Sequence, residues 1–247
     1  MACLARSRDD LETLSATHEH LHAVVADVTD RDGLEAAIDA LLETHGPCEV
    51  LVNNAGYGLR AAVEEIPLDS FRRQMEVNVF SCVRLIQKVL PGMRAARSGC
   101  IVNISSVAGR ISTPFSGAYC ATKFGLEALS DALRVEVRSF GIRVVLIEPG
   151  PVKTNFIVAA AEVSDEILEN PTSPYAHGYG GMLAQLRTLH DGAWTPEAVA
   201  DITLRAIQSP NPKARYGAHD WLLSLAIALR AWSPRLLDTL LARRMKL

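Results

Sequence analysis

The sequence lacks an apolar run long enough to cross a bilayer. Its longest strongly apolar uncharged stretch near the end, Trp221 to Leu229, falls far short of the about 20 residues a spanning helix needs. It also lacks paired cysteines. The five present, Cys3, Cys48, Cys82, Cys100 and Cys120, are odd in number and form no CxxC or Cys/His cluster. That argues against a disulfide framework and against a zinc site, so no metal is expected and a reducing, cytoplasmic setting is the simplest reading. A charge bias is missing as well. The net charge is −3 and basic residues are spread along the chain, so nucleic acid is not the expected partner. Met1 to Ala5 is too short for a signal peptide, and Arg6 to Asp10 are heavily charged. There is no internal repeat and no low-complexity linker. With 49% hydrophobic and 21% charged residues, the chain reads as one ordinary globular domain over 1–247.

What is present alternates between two periods. Leu21 to Ala26 is an apolar run that reads as a buried strand. The helical spacing of Leu34, Ala37, Ile38, Leu41 and Leu42 follows it, with Gly46 as a stop. Glu49 to Val52 is the next expected strand. Leu68 to Leu90 is expected to be mostly helical and to end at Pro91-Gly92. Cys100 to Ile104 is a strand, Tyr119 to Phe140 a helix closed by Gly141, and Arg143 to Ile147 a strand broken by Pro149-Gly150-Pro151. Such alternation implies βαβ units with a parallel sheet and right-handed crossovers, an α/β class. From Val152 to about Trp194 the pattern weakens. This stretch, 152–194, is expected to be a substrate lid, with an irregular surface loop as the alternative. Ala214 to Gly217 reads as an edge strand. An apolar helical tail, 218–247, follows, in which Trp221 to Leu229 and then Leu236, Leu237, Leu240 and Leu241 stand beside Arg235, Arg243, Arg244 and Lys246. It can pack over the pocket or a partner subunit, or lie on a membrane surface as a peripheral contact.

Chemistry concentrates at a few positions. Tyr119 and Lys123 are four apart at a helix start, so their side chains share one face. A cation one turn from a phenol favours the phenolate and is expected to lower its pKa, making the pair a proton donor and acceptor. On its own the pair is no more than a chance surface spacing. Ser106 lies just past the strand Cys100 to Ile104, at the strand end where parallel sheets bind ligands. Ser105 is its rival. Asn53-Asn54-Ala55-Gly56 ends another strand at the same edge. Asn78 sits in mid-helix, where asparagine is a poor helix former; it is either a backbone-bonded polar residue or a group that kinks the helix and holds a water.

Taken in order, these residues resemble the short-chain dehydrogenase/reductase family. The resemblance runs through Asp27-Val28, Asn53-Asn54-Ala55-Gly56, Asn78, Ser106, Tyr119 with Lys123, and Pro149-Gly150 with Thr154, covering about residues 1 to 155 well and the remainder loosely. It implies a Rossmann-like, doubly wound, three-layer fold and hydride exchange between a nicotinamide cofactor and a small carbonyl or alcohol compound. It implies that Tyr119 is the general acid or base and that Lys123 lowers its pKa and binds the nicotinamide ribose. Ser106 would orient the substrate oxygen, and Asn78 would hold a water behind Lys123. Asp27 and Val28 would border the adenine ring, Asn54 and Ala55 line the adenosine ribose, and Gly56 admit the backbone closely. Val152 and Thr154, following Pro149 and Gly150, would meet the carboxamide. No acid ends the stretch Cys3 to Ser7, and Arg6 there can pair with a 2′-phosphate, so NADP is favoured over NAD.

The resemblance breaks at one place. The family's Thr-Gly-x-x-x-Gly-x-Gly turn has no counterpart in this sequence. The expectation is therefore a fold lacking its first βα unit, from a coding start placed too late or from genuine loss. As written, the chain is expected to bind nicotinamide cofactor poorly. The enzymatic reading stands against a non-enzymatic remnant or scaffold that keeps the sheet. The resemblance further implies a homodimer or homotetramer paired through Leu68 to Leu90 and Tyr119 to Phe140. A hydrophobic tail suits a lipophilic substrate by analogy alone.

Overall fold

The computed structural model describes residues 1–154, 156, 164–191, 193–217 and 221–245. Chain order begins β1 (Ala2–Ala5), α1 (Arg8–Thr17), β2 (His22–Val25), α2 (Arg31–His45), β3 (Val50–Asn53). It continues with α3 (Leu68–Met75), a π-helical turn (Glu76–Phe80), α4 (Ser81–Ala96), β4 (Gly99–Ile104), α5 (Gly117–Glu136) and β5 (Ile142–Glu148). Helices Asp165–Leu168, Ala176–Asp191 and Pro196–Gln208 precede β6 (Arg215–Gly217), and helices Trp221–Trp232 and Pro234–Met245 close the chain.

Every strand pairing is parallel, as the alternation requires. The strands form two sheets among the described residues, β1-β2 and β3-β4-β5-β6. β4 and β5 are buried on both faces, and their side chains alternate between two cores. Ile101, Ile142 and Val144 meet Ile86, Val89 and Met93 of α4 on one side. Cys100, Val102, Val145 and Ile147 meet Ala206 of the helix Pro196–Gln208 on the other. Helices thus cover both faces of the four-stranded sheet, the three-layer α/β arrangement expected.

Three expectations need correction. The helix does not stop at Pro91 but runs to Ala96. Proline removes only its own N–H from the ladder, and the following turn is held by Met93, which is fully buried in the core. The helix ends instead at Arg97, in the left-handed conformation, with Ser98 N–H donating to Met93 O at 3.2 Å. Second, the stretch 152–194 is not irregular where it is described. Its glycines lie inside the helix Ala176–Asp191, because one of them permits close packing: a Cβ on Gly181 would stand 2.8 Å from the Met245 carbonyl oxygen. Third, the expected helix Tyr119 to Phe140 is α5 followed by a separate 3₁₀ turn, Arg138–Phe140. Residues 155, 157–163 and 192 of the expected lid lie outside the described residues, as do 218–220 and 246–247 of the expected tail.

The tail favours packing over isolation. Its last helix places Met245 in a cluster with Phe115, Leu168, Tyr179 and Met182. Arg230 stacks over Phe124, 4.3 Å from the ring centroid, and donates to Arg110 O at 3.0 Å. Trp221, Leu225, Trp232, Leu236 and Leu240 stay exposed. Among the described residues, no helix is long and apolar enough to cross a membrane.

Gly141 joins α5 to β5 at φ +74°, and a Cβ there would lie 2.6 Å from the Arg97 carbonyl oxygen. Both the backbone conformation and the contact exclude a side chain. Gly141→Ala should therefore lower stability by more than about 1 kcal/mol, read as a fall in the urea midpoint at constant m-value. An unchanged midpoint would contradict the contact.

Candidate active site

The site stands at the carboxyl ends of β3, β4 and β5. Asn53 and Asn103 are register partners, and their side chains continue the pairing. Asn53 Nδ2 donates to Asn103 Oδ1 at 2.8 Å, and Asn103 Nδ2 donates to Ser130 Oγ of α5 at 2.8 Å. This buried chain fixes the sheet end against the helix that carries Tyr119 and Lys123. Past the strands, Ser105 N–H donates to Ile147 O at 2.7 Å and Val107 N–H to Pro149 O at 3.1 Å. Ser106 is thereby held between two backbone bonds, beside the Pro149-Gly150 turn.

Tyr119, Lys123 and Ser106 converge. They are 7%, 5% and 8% exposed. The Ser106 hydroxyl lies close enough to the Tyr119 phenol to act on it; Ser106 Oγ accepts the Ala108 N–H at 3.1 Å and donates to Pro149 O at 3.5 Å. Lys123 Nζ lies 5.9 Å from the Tyr119 ring centroid and donates to Ile104 O at 2.8 Å. Ser105 serves another place: its hydroxyl sits by Gly109 and acts on the Glu127 carboxylate. Of the two serines, Ser106 is the one beside the phenol.

The expected lowering of the tyrosine pKa is overturned in this form. Burial pushes the Tyr119 phenol up to about 12, against the opposing pull of the Ser106 hydroxyl and the Arg60 cation. Burial likewise brings the Lys123 ammonium down to about 8, despite Cys82 and Glu127 nearby. Burial outweighs the groups that favour the phenolate, Ser106 and Arg60.

Asn78 occupies the middle of the π-helical turn and is fully buried. Its side chain accepts the Tyr57 N–H at 3.0 Å and donates to Tyr57 O at 2.9 Å and Thr122 Oγ1 at 3.0 Å. The amide thus braces the turn after β3, and its backbone carbonyl accepts from Cys82 Sγ at 3.5 Å. Gly56 is drawn in by this brace. A Cβ there would stand 3.2 Å from Asn78 Oδ1 and 3.7 Å from Lys123 Nζ. Asn54 and Ala55 are exposed on the same turn. Val152 bridges to Trp194, Lys153 N–H donates to Trp194 O at 2.8 Å, and Thr154 N–H donates to Val152 O at 2.8 Å. These bonds close the neck of the 152–194 excursion.

The remaining expected residues lie on the two-stranded sheet. Asp27 Oδ1 accepts both Thr29 N–H and Thr29 Oγ1–H at 2.8 Å, which holds the carboxyl below its usual range, with smaller help from Arg6 and Arg73. Arg6 is exposed near it, and Val28 O accepts from Arg84 Nη1 at 3.3 Å.

Three features escaped the sequence reading. Arg60 stands with its guanidinium 5.8 Å from the Tyr119 ring centroid; a lone cation in the apolar run Tyr57 to Val63 was the available signal. Phe156 lies against Tyr119 with ring centroids 5.6 Å apart. The helix Ala176–Asp191 is latched to the loop after β3. Tyr179 Oη donates to Glu65 and accepts the Ala62 N–H at 2.9 Å, while Tyr175 Oη donates to Glu64 at 2.6 Å. No spacing rule pairs residues more than a hundred positions apart.

The model of the family described as short chain dehydrogenase matches residues 1–164. The human 17-beta-hydroxysteroid dehydrogenase type 1 is 35% identical over 206 residues, 83% of this chain and 62% of that protein. The NADPH-dependent 3-dehydrocapnine reductase of Ornithobacterium rhinotracheale is 33% identical over 253 residues, covering 98% of this chain and 87% of the relative. Among solved structures, a short-chain dehydrogenase from Streptomyces avermitilis superposes with a TM-score of 0.74 at 30% identity, over 94% of this chain and 86% of that one.

Lys123 supplies a test of the buried site. Its folded pKa, about 8, lies below the ordinary value of 10.5, so between those pH values the unfolded chain binds a proton that the fold does not. Stability contributed by this group therefore rises as pH climbs through that window. Urea unfolding of wild type and Lys123→Met at its two ends should show the variant with the flatter rise. Parallel pH profiles would place Lys123 in water.

Proposed function

The chain belongs to the short-chain dehydrogenase family, and we propose that it interconverts a carbonyl and an alcohol, with a nicotinamide dinucleotide as hydride partner. The observation that carries this reading is the convergence of Ser106, Tyr119 and Lys123 at the carboxyl edge of a parallel sheet. In the reductive direction Tyr119 Oη gives its proton to the substrate oxygen. Ser106 Oγ orients that oxygen and stabilises its developing charge. Lys123 Nζ, held on Ile104 O, supports the phenolate left behind. In oxidation the same proton moves back; with its amide committed to Tyr57 and Thr122, Asn78 would hold a water behind Lys123 through its backbone carbonyl.

Two portions of a nicotinamide dinucleotide find fitting residues here. Gly56 offers a close backbone approach beside Lys123, which suits the nicotinamide ribose, with Asn54 and Ala55 alongside and Val152 and Thr154 at the carboxamide end, beyond Pro149 and Gly150. Asp27, with Oδ1 committed to Thr29, keeps Oδ2 for an adenine amino group, and Val28 borders the ring. When bound, the cofactor supplies or accepts the hydride. The pyrophosphate has no glycine-rich turn among residues 1–247, and β1 and β3 each keep one edge without a strand partner among the described residues. We favour NADP over NAD, since Arg6 rather than an acid ends the first strand; a relative that uses NADPH supports this. The Phe156 ring beside Tyr119 and a steroid-acting relative support a lipophilic substrate. Phe80, Leu129 and Val135 lie exposed on the π-turn and α5, which supports pairing of copies through these helices. The exposed tail tryptophans suit a peripheral membrane contact.

The split sheet supports a second reading of 1–247 taken alone, a scaffold that holds no cofactor. Fluorescence titration with NADPH separates the two. Binding weaker than micromolar is expected for 1–247, and micromolar binding would refute the importance of the absent turn.

Catalysis is tested in any form of the protein that binds NADPH. Tyr119→Phe should reduce turnover on the order of a hundredfold or more while leaving NADPH affinity nearly unchanged. Retained turnover would remove Tyr119 from the acid's role.

A further inference from the structure

Arg60 is a half-buried cation at the reacting tyrosine that has no acidic partner among the described residues. Its Nη1 donates to Ser116 Oγ, while Nε is shut from solvent with no hydrogen-bond partner. Neither Nε nor Nη2 makes a hydrogen bond among the described residues. These two donors form one edge of the planar guanidinium fork, the edge that receives an oxyanion side-on.

Other partly buried arginines of this chain meet an acid or backbone carbonyls, although Arg134 Nη2 is likewise without a hydrogen-bond partner among the described residues. Arg84 meets Glu76 and Arg110 meets Glu148. Arg134 meets Asp131, and Arg215 meets Glu127, Glu148 and Asp131. Arg143 donates to the Ile207 carbonyl at 2.9 Å. The acids nearest Arg60 in sequence, Glu64 and Glu65, are turned to Tyr175, Ser173 and Tyr179 instead. A desolvated charge without a counter-charge is costly and is kept where a ligand completes it. The backbone around Arg60 is fixed: its N–H donates to Ser164 Oγ at 3.0 Å, and Ala61 N–H donates to Phe115 O at 3.0 Å. The fork is therefore held 5.8 Å from the Tyr119 ring centroid.

We propose that Arg60 is a specificity-determining residue whose Nε/Nη2 edge binds an oxyanion, a carboxylate or phosphate, carried by the substrate a short distance from its reacting carbonyl. This rests on the assignment of Tyr119 as the acid at that carbonyl. The substrate class becomes a lipophilic oxo-acid or its phosphate counterpart, with the chain lying along Phe156.

Two arms test it. In the first, hexanoate, hexyl phosphate and the neutral hexanamide are added to 1–247, and the melting temperature is followed. Either anion should stabilise the wild type more than the amide does, and the larger shift identifies the oxyanion. Arg60→Met should erase the difference, and Arg60→Lys should keep part of it, with circular dichroism confirming that both fold. Equal shifts in the wild type, or an anion preference that survives in Arg60→Met, would overturn the assignment. In the second arm, a cofactor-binding form of the protein reduces a medium-chain oxo-acid and its methyl ester. The acid should show a KM lower by about ten- to a hundredfold, the range for hydrogen bonds to a charged group, and the gap should close in Arg60→Met. Equal KM values, or a loss confined to kcat for acid and ester alike, would make Arg60 a support for Tyr119 and refute the proposal. If neither carbonyl compound turns over while the anion preference holds, the oxyanion site stands and the reductase reading fails.

Discussion

The β4–β5 ladder runs beyond its strands, and the site hangs on that overrun. Within the strands the register pairs Ile104 with Ile147. The Ser105 N–H then reaches Ile147 O at 2.7 Å, and the Val107 N–H reaches Pro149 O at 3.1 Å. Between those two bonds Ser106 has no freedom to slide. Its extended backbone turns the hydroxyl toward Tyr119 and leaves Ser105 facing Glu127. A slip of one residue would exchange the two hydroxyls, because successive side chains of an extended chain point oppositely. The Asn53–Asn103–Ser130 chain applies the same constraint from the other side, fixing the strand ends against α5.

Beneath that ladder lies an ionic cluster. Glu148, with no exposed surface, meets Arg215 Nε at 2.9 Å and Arg110 Nη1 at 3.2 Å, and Arg215 also reaches Glu127 and Asp131. Glu127 lies one turn beyond Lys123 on α5, and burial raises its pKa. Glu148 beside it adds to that rise, while Arg215 opposes it. The cluster joins β5, β6, α5 and the turn after Ser106 by charge-assisted bonds that tolerate little displacement. It holds the frame while the tyrosine and lysine above it remain dry.

The legible part of this protein was its periodic part. Alternating strands and helices gave the parallel α/β class, and the spacing of Tyr119 and Lys123 gave a shared helix face, because both follow from fixed repeats. Positions were less legible than identities. Pro91 reads as a helix end, yet burial of Met93 carries the helix past it. The glycines of 178–181 read as a loop, yet the Ala176–Asp191 helix accommodates them, Gly181 in close contact with Met245. Ser105 and Ser106 could not be separated until the β4–β5 bonds fixed the register. Protonation was illegible for a different reason. A four-residue spacing announces a cation beside a phenol, but the pKa of each depends on how much water the fold removes, and that is a property of Phe156, Arg60 and the surrounding walls.

The two sheets divide the work. Ser106, Tyr119, Lys123, Asn78 and Gly56 all belong to the half built on β3 to β6, whereas Arg6, Asp27 and Val28 belong to the half built on β1 and β2. Polar contacts link the two halves. Arg84 donates to Val28 O while paired with Glu76, and Lys88 reaches Asp39 of α2 at 2.8 Å. The bonds that fix Ser106 and Lys123 themselves lie within the half built on β3 to β6. The geometry at Tyr119 is therefore set within the four-stranded half, by the β4–β5 bonds and the Asn53–Asn103–Ser130 chain.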